Sequence, residues 1–549
     1  MGCEMEKNDF NKIVKNNPDK IVKSNSDKAE KTSFHKTEAQ HQNLRFLLYL
    51  LPVAVGTLFC LWYIHSAACD VIYSDYIRLV DSYLPDVTDP KKFFVPDILT
   101  RIPASFLSRI INVKLFSYSV TFDRLCGVAG LLLCGMVLAR YAARKRIGGF
   151  IYLLMMLVLF SLIKWEILLN GSAWAHVVSF GLFFLNYELL DRVFEETAVP
   201  YGKKKRCAER IALCVLPFVI LLFAGEYIAA YTGGLILAYA YCMLRDKNKN
   251  WKRKENWKRK ENWFLYLFCS VLPLLFYLVS RHFAVWEHAG ATNLSFSEAM
   301  GQEPLFLPRF FIKTFAGAVL GQESISGLLE RQAFSDGTVL LLGVLVMAAY
   351  LFGFILYVRA KLYRKTIFPM LLLLTGGMNH VLVTLSRWIF LKESYALSSR
   401  YAGQFMIGIL GILLIFGLWL REVRNARNAG AQDGLEEQKE EAEAVLGRNE
   451  SCGKGSSKPK LLLCKGILSL FCILFLAGNW YTTKEEIRKA PYREQNYEEL
   501  SVMVRNYHDY SEEALRKGLE WNKDAQTMYH ALSVLEENHL NVFRNAGGE

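Results

Sequence analysis

Tyr401-Ala-Gly-Gln-Phe-Met-Ile-Gly-Ile-Leu-Gly-Ile-Leu-Leu-Ile-Phe-Gly-Leu-Trp-Leu420 runs for twenty residues without a charge, and at about 1.5 Å of rise per residue a helix of that length spans the hydrocarbon core of a bilayer. Comparable apolar blocks recur along the chain. Read as helices, they give eleven spans, near 45–66, 123–141, 148–167, 173–190, 210–225, 228–244, 263–280, 338–358, 366–385, 401–420 and 461–480. The expected fold class is therefore all-α, a polytopic transmembrane helix bundle. Of the 549 residues 52% are hydrophobic and 13% aromatic, and the mean hydropathy is +0.17. A soluble core needs no such blocks. The net charge of +13 does not point to nucleic acid, because Lys and Arg fall mostly between the blocks, where anionic headgroups and the positive-inside rule account for them.

Charge also orients the spans. Arg140-Tyr-Ala-Ala-Arg-Lys-Arg146, Lys203-Lys-Lys-Arg206, the stretch from Arg245 to Lys260, Arg359-Ala-Lys-Leu-Tyr-Arg-Lys365 and the segment after Arg421 all fall on one side, while loops 168–172 and 226–227 carry no Lys or Arg. The basic side is expected to be cytoplasmic. That predicts a multi-pass protein of the cell membrane with an inside amino terminus, an outside carboxyl terminus, and long outer loops at 67–122 and 281–337. Residues 1–44 read as a disordered cytoplasmic tail, 45–428 as the bundle, 429–460 as a cytoplasmic linker, 461–480 as the last span and 481–549 as a helical extracytoplasmic tail capping the outer face. The tandem hexapeptide Asn250-Trp-Lys-Arg-Lys-Glu255 and Asn256-Trp-Lys-Arg-Lys-Glu261 reads as a solvated, lipid-anchoring loop. Most of the twelve cysteines lie in spans. Of the two near the outer face, Cys69 and Cys126, an unpaired state is expected over a bridge, and no spacing matches a metal site.

Two outer segments read as ordered. Ile98, Ile102, Phe106 and Ile110, with Leu99 and Leu107 beside them, make an apolar stripe on a helix over 97–113, with Arg101, Ser105, Ser108, Arg109 and Asn112 on other faces; such a helix lies in the membrane interface or packs on its own domain. Leu305 to Leu320 is apolar but too short to cross, and reads as re-entrant or interfacial.

Candidate chemistry gathers on the outer face. Cys69-Asp70-Val71-Ile72-Tyr73-Ser74-Asp75-Tyr76 opens the first outer loop, with Arg78 and Asp81 just beyond, and Ser399-Arg400-Tyr401 stands at the outer mouth of a late span. An acidic cluster and an Arg-Tyr pair facing one compartment suit an enzyme moving a phosphate-linked group. A carboxylate, Asp75 or Asp70, takes a proton from an attacking hydroxyl. A guanidinium, Arg400 with Arg387 and Arg281 in reserve, holds the departing phosphate, helped by the Tyr401 hydroxyl or ring. Arg78 and Asp81 are candidates for contacting the acceptor. Glu166 is expected to pair with Lys164 or to sit among headgroups, Glu226 to mark the tight turn Ala224-Gly-Glu-Tyr227, and His176 to be a hydrogen-bonded interior residue.

An inside amino terminus, one span, a long outer loop opening with Asp70, Asp75 and Asp81, a membrane-parallel helix and then many spans together resemble the GT-C superfamily of polyprenyl-phosphate-sugar-dependent membrane glycosyltransferases. The ending Val534-Leu-Glu-Glu-Asn-His-Leu-Asn-Val-Phe543 is similar to tails of members that act on bacterial surface polysaccharide. The resemblance implies a polyprenyl-phosphate-linked sugar as donor, a glycan as acceptor, and the lipid bilayer as the donor's residence. It commits to no cofactor and leaves a divalent metal open. The chain departs from the pattern in having no adjacent Asp-Asp or Asp-Glu pair in the first loop and no Pro after Arg-Tyr at the spacing some members show. A polysaccharide polymerase or ligase, a lipid-linked-glycan transporter and a noncatalytic membrane scaffold are the alternatives; the first would rely on outer-loop Arg and His, and a transporter would place charges at the midplane of two related halves.

Overall fold

The computed structural model describes residues 18–94, 103–195, 203–247, 254–282, 290–429 and 457–544. Among these the regular elements are all helical. They are α1 (Pro18–Ala67), α2 (Asp75–Tyr83), α3 (Pro103–Phe116), α4 (Val120–Lys145), α5 (Gly149–Phe160), α6 (Trp165–Asn170), α7 (Trp174–Glu195), α8 (Lys203–Ala224), α9 (Ile228–Lys247), α10 (Lys254–Arg281), α11 (Phe296–Gln302), α12 (Phe306–Gly317), α13 (Gln322–Glu330), α14 (Asp336–Arg359), α15 (Phe368–Arg387), α16 (Ser399–Ala429), α17 (Ser457–Arg505), α18 (Glu512–Gly518) and α19 (Ala525–Glu537).

Nine stretches of the described residues are helical, long and apolar enough to cross a membrane. The sequence count of eleven differs at two places. The stretch Cys207–Arg245 is one of the nine, where the sequence reads two spans meeting at the short turn Gly225–Tyr227. The helix α7 is not among the nine; its last turns carry Glu188, Asp191, Arg192 and Glu195. Two helices run beyond the spans read from sequence: α1 begins at Pro18, and α17, which holds the last expected span, continues unbroken to Arg505. Residues 1–17, the start of the 97–113 helix, most of the first hexapeptide and most of the 429–460 linker lie outside the described residues.

The axis of the bundle is α16. In its most apolar window 94% of residues are buried, against 22% for α1 and for α10, whose outward leucines and phenylalanines fit a lipid bilayer. Apolar side chains gain nothing by leaving lipid, so close packing of small residues holds such helices together. A Cβ at Gly376 of α15 would overlap the Gly408 backbone of α16, which fixes that crossing. At the end carrying the basic loops, Asp191 accepts hydrogen bonds from the Thr366 hydroxyl at 2.6 Å and the Ile367 amide at 2.7 Å, capping α15, and pairs with Arg144 at 2.8 Å.

At the other end the first long loop and the carboxyl tail share a second core. Val71, Ile72, Tyr76 and Val80 pack with Leu515, Leu519, Met528 and Leu535. The Asn541 amide donates to the Ser117 carbonyl at 2.7 Å, and His530 Nδ1 lies 2.7 Å from Asp81. The tail is thus built into the loop rather than laid over it.

The helix α3 divides its apolar stripe: Phe106 and Ile110 pack into the core that the loop shares with the tail, while Leu107 is exposed. Its polar residues Ser105, Ser108, Arg109 and Asn112 are buried against the protein, joined by Phe106, while Leu107, Ile111 and Leu115 are exposed. The polar side finds its partners within the protein. Arg109 pairs with Asp123, which also accepts from the Tyr76 hydroxyl at 2.8 Å. Both ions of that pair are almost fully buried, so Asp123→Ala leaves an uncompensated guanidinium, a loss of about 3–5 kcal/mol. The expected result is a clearly lowered melting temperature in detergent; an unchanged one removes the pair from the account of how α3 is held.

The segment read as re-entrant, 305–320, forms the short helix α12, whose Lys313 and Arg309 both pair with Asp336 and Glu393.

Candidate functional site

A cavity of ≈ 980 Å³ opens between the bundle and the loop-and-tail assembly. Each wall has a distinct origin. The start of α2 contributes Ser74, Asp75 and Arg78; α6, which follows a break in the fifth helix, contributes Trp165 and Glu166; the Gly225–Tyr227 turn contributes Glu226 and Tyr227. The end of α15 brings Arg387, the start of α16 brings Arg400 and Tyr401, and the tail brings Arg516, Lys517, Glu520 and Trp521. Seven Lys and Arg residues against five carboxylates line it, an excess of positive charge that favours an anionic ligand.

Five of the eight residues expected from sequence meet here: Asp75, Arg78, Arg387, Arg400 and Tyr401. The Arg400 guanidinium donates through Nε to Glu166 and stands 3.7 Å from Asp75 through Nη1. Arg78, one helical turn after Asp75, lies 3.6 Å from the same carboxylate. The Arg387 guanidinium stacks over the Tyr401 ring at 5.5 Å, and its Nε is buried with no hydrogen-bond partner. A buried donor without an acceptor costs about 1–3 kcal/mol, so an oxygen-bearing ligand has something to satisfy there.

Asp70, Asp81 and Arg281 are not brought to the cavity. Asp70 accepts from the Val120 amide at 2.6 Å and the Thr121 amide at 3.2 Å, capping α4, and faces Arg544 at 3.4 Å. Asp81 is the tail's partner through His530. Arg281 ends α10 in an exposed position. Cys69 and Cys126 are free thiols. Among the described residues no three His, Cys, Asp or Glu side chains are grouped to hold a metal ion.

Four further residues belong to the site. Glu166 does not pair with Lys164, which donates to the Ser161 carbonyl at 2.9 Å; it takes Arg400 and the Ser399 hydroxyl, the latter at 2.8 Å. Glu226 lines the cavity as well as shaping its turn. His176 lies edge-on to Tyr227 with ring centroids 4.7 Å apart, and its Nδ1 has no partner. All three carried the same signal in the sequence, an ionisable residue embedded among apolar neighbours. Glu520 carried none, since it enters from the tail. Loss of water inside the cavity raises its carboxyl above the ordinary Glu range; Arg400 opposes this, and Glu166 and Asp75 add to it.

The backbone at Asp75 is strained. Ser74, immediately before it, has φ 53° and ψ −120°, a conformation that costs a non-glycine residue on the order of 1–3 kcal/mol. Its amide donates to the Leu519 carbonyl at 2.7 Å, which ties the base of α2 to the tail.

No protein-family model, no curated protein and no solved structure matches this chain.

Proposed function

We propose that the chain is a membrane glycosyltransferase of GT-C-like architecture, with eleven spans in the cell membrane, that passes a sugar from a polyprenyl-phosphate donor to a hydroxyl of a cell-surface glycan on the extracytoplasmic face. The observation that carries this reading is the convergence of Asp75 and Arg400, with Arg387 and Tyr401, in one cavity at the end of the bundle. These residues come from the first long loop and from two late helices, and a carboxylate beside guanidinium groups is what transfer from a phosphate requires.

In this mechanism an Asp75 oxygen takes the acceptor hydroxyl proton as the acceptor's own oxygen attacks the anomeric carbon. The bond from the anomeric carbon to the phosphate oxygen breaks, and its electron pair leaves with the phosphate. Arg387, whose Nε has no other partner, accepts that charge in a fork a lysine cannot reproduce. Arg400 spans Glu166 and Asp75 and keeps the base in place. The donor's isoprenoid tail stays in the bilayer throughout, which accounts for catalysis inside a membrane bundle. His176, with its unpartnered Nδ1, supports a second reading, a polysaccharide ligase using a lipid-linked oligosaccharide.

The test is transfer in proteoliposomes holding the purified protein, a labelled polyprenyl-monophosphate hexose and a glycan acceptor. Labelled glycan is the expected product. Consumption of a lipid-linked oligosaccharide alone would move the assignment to the ligase. Topology gives a separate check: reporters fused after Gly317 and at Glu549 are expected outside, and those after Lys260 and Gly430 in the cytoplasm. A cytoplasmic signal at Glu549 places the tail, and the cavity it lines, on the wrong side for this donor.

A further inference from the structure

Two residues in the left-handed backbone region meet at one edge of the cavity. Ser74 has φ 53° and Glu520 φ 51°, and the single amide-to-carbonyl bond from Ser74 to Leu519 joins their segments. Glycine adopts such a conformation without steric cost, yet neither position is glycine. Ser74 is unusual in a second way. Ser119, Ser295, Ser335 and Ser511 stand at the same position before their helices, and each hydroxyl accepts from a helix amide. The Ser74 hydroxyl makes no such cap and lines the cavity instead.

From this we infer that Ser74 and Glu520 form the acceptor edge of the site and recognise the neighbouring hydroxyls of a neutral saccharide. The inference rests on the glycosyl-transfer reading and adds the acceptor's chemical class. A hydroxyl that can donate or accept and a carboxylate that accepts, lining one cavity, complement a pair of sugar hydroxyls. An anionic acceptor would meet the Glu520 carboxylate, and an apolar one would strip water from both groups without replacing it. The position is also right for the chemistry: Ser74 directly precedes Asp75, so a sugar hydroxyl held at this edge lies beside the base. Phosphate chemistry gathers at the Arg387 edge, and the two substrates approach from different elements. The carboxyl tail is then a working part of the site, because without it the saccharide loses half of its edge.

Ser74→Gly and Glu520→Gly separate this role from a structural one. Each removes a side chain and leaves a residue to which the backbone conformation is natural, so both proteins are expected to melt at or above the parent's temperature. The acceptor KM should rise about tenfold or more while the donor KM stays within about twofold. Ser74→Ala should raise the acceptor KM equally with no gain in melting temperature. A parent-like acceptor KM in both glycine variants overturns the inference, and so does an equal rise in donor and acceptor KM. If the parent transfers no sugar, labelling of Ser74→Cys by a membrane-impermeant maleimide, read against the parent's own cysteines, still decides the matter. Protection by neutral oligosaccharides would keep the saccharide edge and sink the transferase reading. No protection by any of them sinks the edge itself.

Discussion

Asp75→Asn is expected to lower sugar transfer by about 10²-fold or more while the protein accumulates and melts as the parent does, because the amide keeps the shape and loses the proton acceptor. Stability should hold, since the ion partners of Asp75, Arg78 at 3.6 Å and Arg400 at 3.7 Å, are loose and partly solvated, a setting in which pairs contribute little. Asp70→Asn makes the contrast. Asp70 caps α4 from outside the cavity, so its variant should lose up to about 1 kcal/mol of stability and keep its turnover. Initial rates in proteoliposomes and melting curves in detergent measure both effects. Parent-like turnover in Asp75→Asn would shift the base to Glu166, the other carboxylate held by Arg400; turnover lost in Asp70→Asn alone would remove the cavity from the chemistry.

The spans were legible because the bilayer makes a coarse demand: about twenty residues without charge must be helical, and nothing else satisfies their backbone. The pairing of Asp75 with Arg400 was legible only as a shared compartment. What brings them within 3.7 Å is the docking of α2 onto α19 and the tail, a contact between distant parts of the chain that no local period records. Glu520 and Ser74 were invisible for the same reason, as their roles arise where the loop and the tail join. The α3 helix shows a different limit. Its amphipathic pattern is plain, but the pattern does not say which residues turn inward, and the buried Arg109–Asp123 pair draws the polar side in together with Phe106. For Glu166 the sequence offers Lys164 or the headgroups, while its actual partner, Arg400, lies in another span beside Ser399.

The two arginines should fail in different ways. Arg387 has a buried Nε awaiting an acceptor, so Arg387→Ala is expected to leave melting unchanged or raise it, and to weaken donor use by about 10²–10³-fold, the usual loss when one preorganised donor to a developing anion is removed. Arg387→Lys should recover little, because a point charge cannot reproduce the guanidinium fork or its stacking on Tyr401. Arg400 is committed to Glu166 and Asp75 before any ligand arrives. Arg400→Ala therefore releases two carboxylates into the site, and turnover should fall at least as far as in Asp75→Asn; Arg400→Lys should also be impaired, since it cannot span both. Pairing Arg400→Ala with Glu166→Gln decides what Arg400 does, because removing the orphaned charge relieves the repulsion around Asp75. A bracket that merely positions the base predicts substantial recovery of turnover in the double variant with donor KM near the parent's. No recovery, with donor KM as high as in Arg387→Ala, would instead put Arg400 on the phosphate itself, and the charge that stabilises the leaving group would then be shared by both arginines.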